Sequence, residues 1–284
     1  MTPILLTHTD LDGVGCAVLV RGTSSSSVEL VENGAIDARV RAVLAGGHSE
    51  VLVTDHGLDG DTAALVDGFV AGGGRFTLLD HHRSSQQLAA HAWATVDESR
   101  SATGLLYDHL GRPRRFADFA RLVEDHDLWR HEDPRSARLS ALVGLLGHDR
   151  FLARFSADPE VQFSEAEQLL IEHAEGERED YLKRKLPQAR LLELGGNRWA
   201  VCYAEQYQSD LAERLMTELG VAATAIVNPG KRTVSLRGRG VDVSRLAERF
   251  GGGGHARAAA FSFAGSDLEL ELARFEAALD SALG

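Results

Sequence analysis

Four short segments place carboxylates and imidazoles where they could do chemistry: His8-Thr9-Asp10-Leu11-Asp12-Gly13, Asp55, Asp80-His81-His82, and Glu124-Asp125-His126-Asp127. In an extended segment alternate side chains point the same way, so His8, Asp10 and Asp12 present one imidazole and two carboxylates together. That set suits a divalent ion. Asp10 and Asp12 would equally cap a helix entered near Val14, and Gly13 permits a tight entry under either reading. Asp55 and the Asp80-His81-His82 run add two carboxylates and two imidazoles. Mixed carboxylate and histidine donors favour a borderline-hard ion such as Mn2+ over a thiolate zinc site. So many carboxylates repel one another unless cations lie among them. Two ions about 3.5–4 Å apart, sharing a carboxylate, relieve that repulsion and generate a nucleophile for in-line attack at phosphorus.

The elements that position these residues follow from one repeated pattern, a short apolar run that stops abruptly in acids or histidines. Ile4-Leu5-Leu6-Thr7 leads to His8 and Asp10, Val51-Leu52-Val53-Thr54 to Asp55, and Phe76-Thr77-Leu78-Leu79 to Asp80. Continuous apolar runs of this length suit strands buried on both faces, as in a parallel sheet, and Val28–Val31 adds another. Helices are predicted over Val14–Val20, Ala35–Leu44 and Asp61–Val70, giving alternating β and α with right-handed crossovers. The fold class is therefore α/β, with an open, mostly parallel sheet. Ligands of such sheets sit beyond the carboxyl ends of the strands, where the reactive residues fall. A further helix over Phe116–Leu128 brings the Asp125–Asp127 cluster to the same place.

From Ser164 to Leu186 the chain is highly charged with weak helical periodicity, which predicts a solvated connecting helix. The expected organisation is a catalytic domain over residues 1–155, a helical linker over 156–190 and a smaller α/β domain over 191–284. In the second domain Trp199–Tyr203, Ala222–Val227 and Thr233–Arg237 read as strands, and Ser209–Leu219 and Val243–Phe250 as helices. The latter runs into Gly251-Gly252-Gly253-Gly254-His255. A glycine run is either a flexible loop or a backbone that approaches an anion closely. Between Lys231 and Arg257 stand seven basic residues against two acids, in a chain whose net charge is −12. Such a basic patch can hold phosphate.

The chain has 284 residues, 44% hydrophobic and 25% charged, which fits an ordinary globular protein and excludes fibre or disorder. No run approaches the roughly 18–20 apolar residues of a membrane span, and the first ten residues read as a strand and not a signal peptide. Cys16 and Cys202 sit among apolar neighbours and are expected buried and reduced. A cytoplasmic location follows as the expectation. The acidic balance opposes the counterion-release binding of long nucleic acid, so any nucleic-acid substrate is expected to be short.

The sequence resembles the DHH–DHHA1 phosphoesterases. HTDLDG at 8–13 is similar to that family's motif I, TD at 54–55 to motif II, DHH at 80–82 to motif III and DHDLW at 125–129 to motif IV; Ser235–Ala259 is similar to the DHHA1 signature. The HTDLDG form, the Asp-x-Trp of motif IV and the length resemble the type-B nano-RNase branch. The resemblance implies two Mn2+ ions, with Mg2+ as the alternative. It places Asp10 and His8 on the first ion, Asp55 bridging both, and Asp12, His81 and Asp127 on the second. Asp125 is the competing motif IV ligand, and Asp-x-Trp points to Asp127. Asp80 is expected to orient His81 from behind, and His82 to face the scissile phosphate. Arg237, Gly253, Gly254 and His255 are expected to bind the substrate's terminal phosphate, sugar or base, while Arg257 stands where relatives often carry a smaller polar residue. His56 is assigned no role.

The resemblance implies a phosphodiesterase that hydrolyses short RNA, short DNA and linear dinucleotides to mononucleotides. The alternatives are a 3′-phosphoadenosine 5′-phosphate phosphatase, a cyclic-dinucleotide phosphodiesterase and a RecJ-like exonuclease, the last disfavoured because RecJ proteins add DNA-holding domains. A sensor that binds nucleotide without turnover is the non-enzymatic alternative. No membrane or long-duplex partner is expected, and a homodimer is left open.

Overall fold

The apolar run Ile4-Leu5-Leu6-Thr7 has no polar face because it is a central strand covered on both sides. In the computed structural model, which describes residues 3–263, 273–275 and 277, it forms β1 (Ile4–Thr7), buried at all four positions. The alternation then continues as α1 (Leu11–Thr23), β2 (Ser27–Leu30), α2 (Ile36–Ala45), β3 (Glu50–Thr54), α3 (Gly60–Ala71), β4 (Arg75–Asp80) and β5 (Ala94–Val96). The five strands form one sheet in the order β2-β1-β3-β4-β5, every pairing parallel. With that order the chain winds in opposite directions from β1 and from β3. The crevice at their carboxyl ends is where open α/β sheets bind ligands. Thr7 stands in register with Thr54, so the segments that follow β1 and β3 leave the sheet side by side.

One face of this sheet is covered by α2 and α3, whose Val40, Val43, Ala63 and Val66 pack with Ile4, Leu6, Val51 and Val53. The other carries α1 with α4 (Ala102–His109), α5 (Ala117–Asp127), α6 (Pro134–Leu146) and α7 (His148–Ala157). Helix α1 is buried from Leu11 through Val20, all round its axis, as an internal helix must be. Phe116, Phe119, Phe151 and Phe155 fill the space among the outer helices; Phe119 and Phe151 each lie about 5 Å from Phe155 between ring centroids. This packing holds α5, and hence Asp127 at its end, firmly in place.

The chain divides into two compact units, Met1–Ile171 and Glu172–Gly284, with the boundary inside the charged helix α8 (Glu165–Lys185). The second unit contains β6 (Arg190–Leu194), β7 (Asn197–Tyr203), α9 (Gln208–Leu219), β8 (Ala223–Asn228), β9 (Thr233–Gly238), α10 (Ser244–Arg249), β10 (Gly253–His255) and β11 (Ala258–Ser262). Its six strands run β10-β11-β9-β8-β7-β6, antiparallel except for β7 with β8. The glycine run, for which a flexible loop was one sequence reading, contributes an edge strand. No helix among the described residues is long and apolar enough to cross a membrane.

Candidate metal centre

Motif I serves as a helix cap and as part of a charged cluster at once. Asp10 caps α1 by accepting from the Gly13 N–H through Oδ1 at 3.1 Å, while its Oδ2 faces His8 Nδ1 at 3.0 Å. A Cβ at Gly13 would stand 2.3 Å from the His8 carbonyl oxygen, so only glycine lets α1 start this close to the strand it follows. The Thr7 hydroxyl donates to the Gly13 carbonyl at 3.0 Å and accepts from the Thr54 hydroxyl at 2.7 Å. These buried bonds tie the end of β1 to the end of β3. Asp55 then turns out of β3 with a left-handed backbone, φ +58°, its N–H donating to the Leu79 carbonyl.

Around Asp55 three groups of donor atoms each gather within 4.8 Å: His8, Asp10 and Asp55; Asp55, His81 and His82; and Asp12, His81 and Asp127. His81 Nε2 lies 3.4 Å from Asp55 and 3.7 Å from Asp12, and its Nδ1 lies 3.5 Å from Asp127. His8 Nδ1 is 3.7 Å from the other oxygen of Asp55. Asp55 belongs to two of the three groups. The structure thus brings together His8, Asp10, Asp12, Asp55, His81, His82 and Asp127 from the ends of β1, β3, β4 and α5.

The Asp80 carboxylate is bonded to His82, at 2.8 Å from Nδ1, and not to His81 as the sequence comparison implied. The cause is the alternation of an extended segment: residues 80 and 82 share a side, and residue 81 points opposite, toward Asp12, Asp55 and Asp127. Asp125 takes no place in the cluster. Its carboxylate accepts from the Glu132 and Asp133 N–H groups and fixes the turn after α5. His56, assigned no role from sequence, is buried; its Nε2–H donates to the Val31 carbonyl at 3.1 Å and its ring meets that of His8 edge to face at 5.2 Å. Sequence reasoning missed one partner entirely. Both oxygens of Asp12 accept from the first N–H groups of α4, Ala102 at 2.6 Å and Thr103 at 2.8 Å, where the helix terminus favours negative charge.

The electrostatics of this cluster call for cations. Burial, then the charges of Asp12 and Asp10, push the Asp55 carboxyl well above the usual range. Burial and the same two neighbours push Asp127 up to about 8. At Asp10 burial acts in the same direction, but the Gly13 N–H and His8 outweigh it and hold the group low. Asp55 Oδ2 and Asp127 Oδ2 are buried without a hydrogen-bond partner among the described residues. Buried polar atoms are normally satisfied, so carboxylate oxygens orphaned beside imidazoles fit a divalent ion. His82 is shifted upward, first by its bond to Asp80 and against the effect of burial.

In the second unit, Arg237 is half-buried with no carboxylate partner among the described residues; its guanidinium donates to the Ser209 hydroxyl at 3.0 Å and to the Leu236 carbonyl, and burial pulls its pKa down. Arg237 and His255 both stand opposite Ala258 in the β9-β11-β10 register, hence on one face of the sheet with only a methyl group between them. Gly254 has φ +139°, and a Cβ there would lie 2.5 Å from the Ala258 carbonyl oxygen. Of the seven cations counted between Lys231 and Arg257, Arg239 pairs with Glu213 and Arg245 with Asp242.

Comparison with known proteins agrees with this geometry. Residues 205–283 match the DHHA1 domain model. The oligoribonuclease NrnB of Bacillus subtilis is 32% identical over 298 residues, covering 95% of this chain and 75% of that protein. Among solved structures, the pGpG-specific phosphodiesterase PggH of Vibrio cholerae superposes with a TM-score of 0.58 at 14% identity, over 97% of this chain and 98% of that one. RecJ of Thermus thermophilus in complex with Mn2+ gives 0.59 at 18% identity, over 99% of this chain and 52% of that one.

Proposed function

Because this chain belongs to the DHH–DHHA1 phosphoesterases, hydrolases of phosphodiester bonds, we propose that it is an Mn2+-dependent enzyme that degrades short oligonucleotides and linear dinucleotides to mononucleotides. The carrying observation is the convergence of His8, Asp10, Asp12, Asp55, His81 and Asp127, with orphaned buried carboxylate oxygens, on the β1/β3 crevice. In this reading Asp10 and His8 hold one ion, Asp12, His81 and Asp127 another, and Asp55 serves both. Bound ions supply charge neutralisation and Lewis acidity at the scissile phosphate. The chain's own contribution begins at His82, whose Nδ1 is held by Asp80, leaving Nε2 to donate to a phosphate oxygen. The bond to Asp80 shifts His82 upward and so favours the doubly protonated ring that donation from Nε2 requires. Asp12, bonded to two α4 N–H groups, keeps its carboxylate oriented without depending on its metal. In the second unit Arg237, Gly253, Gly254 and His255 supply substrate-binding groups. The buried cysteines Cys16 and Cys202 fit a reducing compartment, and we place the protein in the cytoplasm.

A short substrate follows from the charge, since a long polyanion meets an acidic surface. The test is a product time course with Mn2+ on end-labelled RNA and DNA of about 2, 5 and 24 nucleotides at fixed salt, which also controls the electrostatic contribution. A cyclic dinucleotide and 3′-phosphoadenosine 5′-phosphate are run alongside. Rapid loss of the shortest strands with the longest spared is the expected result. Equal or faster loss of the longest strand would replace this reading with a RecJ-like exonuclease.

A further inference from the structure

The chain has three tryptophans. Trp93 and Trp199 are 8% and 3% exposed, whereas Trp129 is 73% exposed, the largest exposure among the large hydrophobic side chains described. It stands two residues beyond Asp127, so its Cα is within about 7 Å of that residue's along the chain. Its position is fixed by the backbone. Trp129 and His131 both adopt left-handed conformations, φ +53° and +51°, conformations uncommon for such side chains. Asp125 pins this turn: its carbonyl accepts from the Arg130 N–H at 3.0 Å and its buried carboxylate from the Glu132 N–H at 2.9 Å. The Trp129 N–H donates to the His126 carbonyl, and the His131 ring meets the indole edge to face at 5.2 Å.

Trp129 also lines a cavity of about 130 Å³ shared with Asp10, Asp12 and Asp127, the carboxylates of the candidate metal centre. His126 lines the same cavity, and its buried Nδ1 has no hydrogen-bond partner among the described residues. A large aromatic surface left in water beside an unsatisfied polar atom matches a ligand with one flat apolar face and polar edges. A nucleoside has that character, and base stacking on aromatic side chains is sequence-tolerant because every base has a π-face.

We propose that Trp129 is the stacking platform for a nucleobase of the substrate, that of a nucleotide whose phosphate lies at the carboxylate cluster. The proposal rests on the oligonucleotide reading above and adds the element that distinguishes a nucleotide from any other phosphodiester. Trp129 is a specificity determinant, since it touches the base and not the reacting atoms.

The test compares wild type, Trp129→Ala and Trp129→Phe on an adenine dinucleotide and on its abasic counterpart with the same sugar-phosphate backbone. The quantity read is the ratio of kcat/KM for the two substrates. Trp129→Ala is expected to lower this ratio about 10-fold or more, through KM, and Trp129→Phe to restore most of it. An unchanged ratio in Trp129→Ala would overturn the proposal. A second measurement does not depend on turnover: because the other two tryptophans are buried, solvent-exposed indole emission reports Trp129. AMP should quench it where ribose 5-phosphate does not, and equal effects of the two would refute stacking. If wild type hydrolyses neither dinucleotide yet AMP alone quenches, the oligonucleotidase reading fails while the platform stands.

Discussion

Replacing Asp127 with asparagine should make the metal-free protein more stable. Asp127 is 20% exposed, its Oδ2 has no hydrogen-bond partner among the described residues, and burial together with Asp12 and Asp10 raises its pKa from 3.8 to about 8. A carboxyl that binds its proton more tightly in the folded state destabilises that state wherever the unfolded chain is ionised. The effect is complete above about pH 8 and fades as pH falls toward 3.8. At pH 7 the gap of about 3 units corresponds to about 4 kcal/mol, an upper bound because the repulsion is shared among three carboxylates. The asparagine side chain has the same shape and no charge, so about 2–4 kcal/mol should return, or about 5–10 °C in Tm for a unit of this size. Chelated wild type and Asp127→Asn would be melted between pH 5 and pH 8, and the advantage of the variant should shrink to about 1–2 kcal/mol at pH 5. With Mn2+ the order should reverse, because the variant lacks one ligand of the Asp12–His81 group and gains less binding energy than wild type. A chelated variant less stable than wild type, or an advantage independent of pH, would refute the electrostatic account.

Asp55→Ala should lower kcat/KM by more than the about 10- to 100-fold typical of losing an orienting partner, because Asp55 belongs to two donor groups; steady-state assays with dinucleotide check it. Asp80→Asn should leave bound metal unchanged by elemental analysis and lower kcat about 10- to 100-fold. Since Asp80 is what raises the pKa of His82, the alkaline limb of its kcat–pH profile should move to lower pH. Arg237→Ala should raise KM for short substrates about 10-fold or more, as expected for a lost charged hydrogen bond, with Mn2+ affinity unchanged by calorimetry. Gly254→Ala should disturb β10, which a limited-proteolysis comparison of the second unit would show as faster cleavage near His255.

The first sheet was legible because its strands are buried on both faces and so appear as uninterrupted apolar runs, each ending where the crevice begins. Helices α6 and α7 were not picked out, since their apolar residues mix with arginines that lie on the outer face. Strands β10 and β11 read Gly-Gly-His and Ala-Ala-Ala-Phe-Ser; their glycines and alanines do not favour a strand, and the pairing of β11 to β9, with β10 in turn on β11, imposes it. At the site, which residues meet followed from motif order, but their mutual bonds did not. The link of Asp12 to Ala102 and Thr103 joins positions about 90 apart. The pairing of Asp80 with His82 was readable in principle from strand alternation, which favours 80 with 82 over 80 with 81.

The spread of the cluster along the chain, from His8 to Asp127, also bears on how the protein reaches its native state. No two of the three donor groups can form until β1, β3 and β4 have found their register, and the third needs α5 docked as well. Contacts of such sequence separation form late, because loop closure precedes any gain from them. Folding therefore proceeds against growing repulsion among Asp10, Asp12, Asp55 and Asp127. Cations that neutralise them can bind only once these elements have met, so the ion-free chain carries that repulsion to the end of folding.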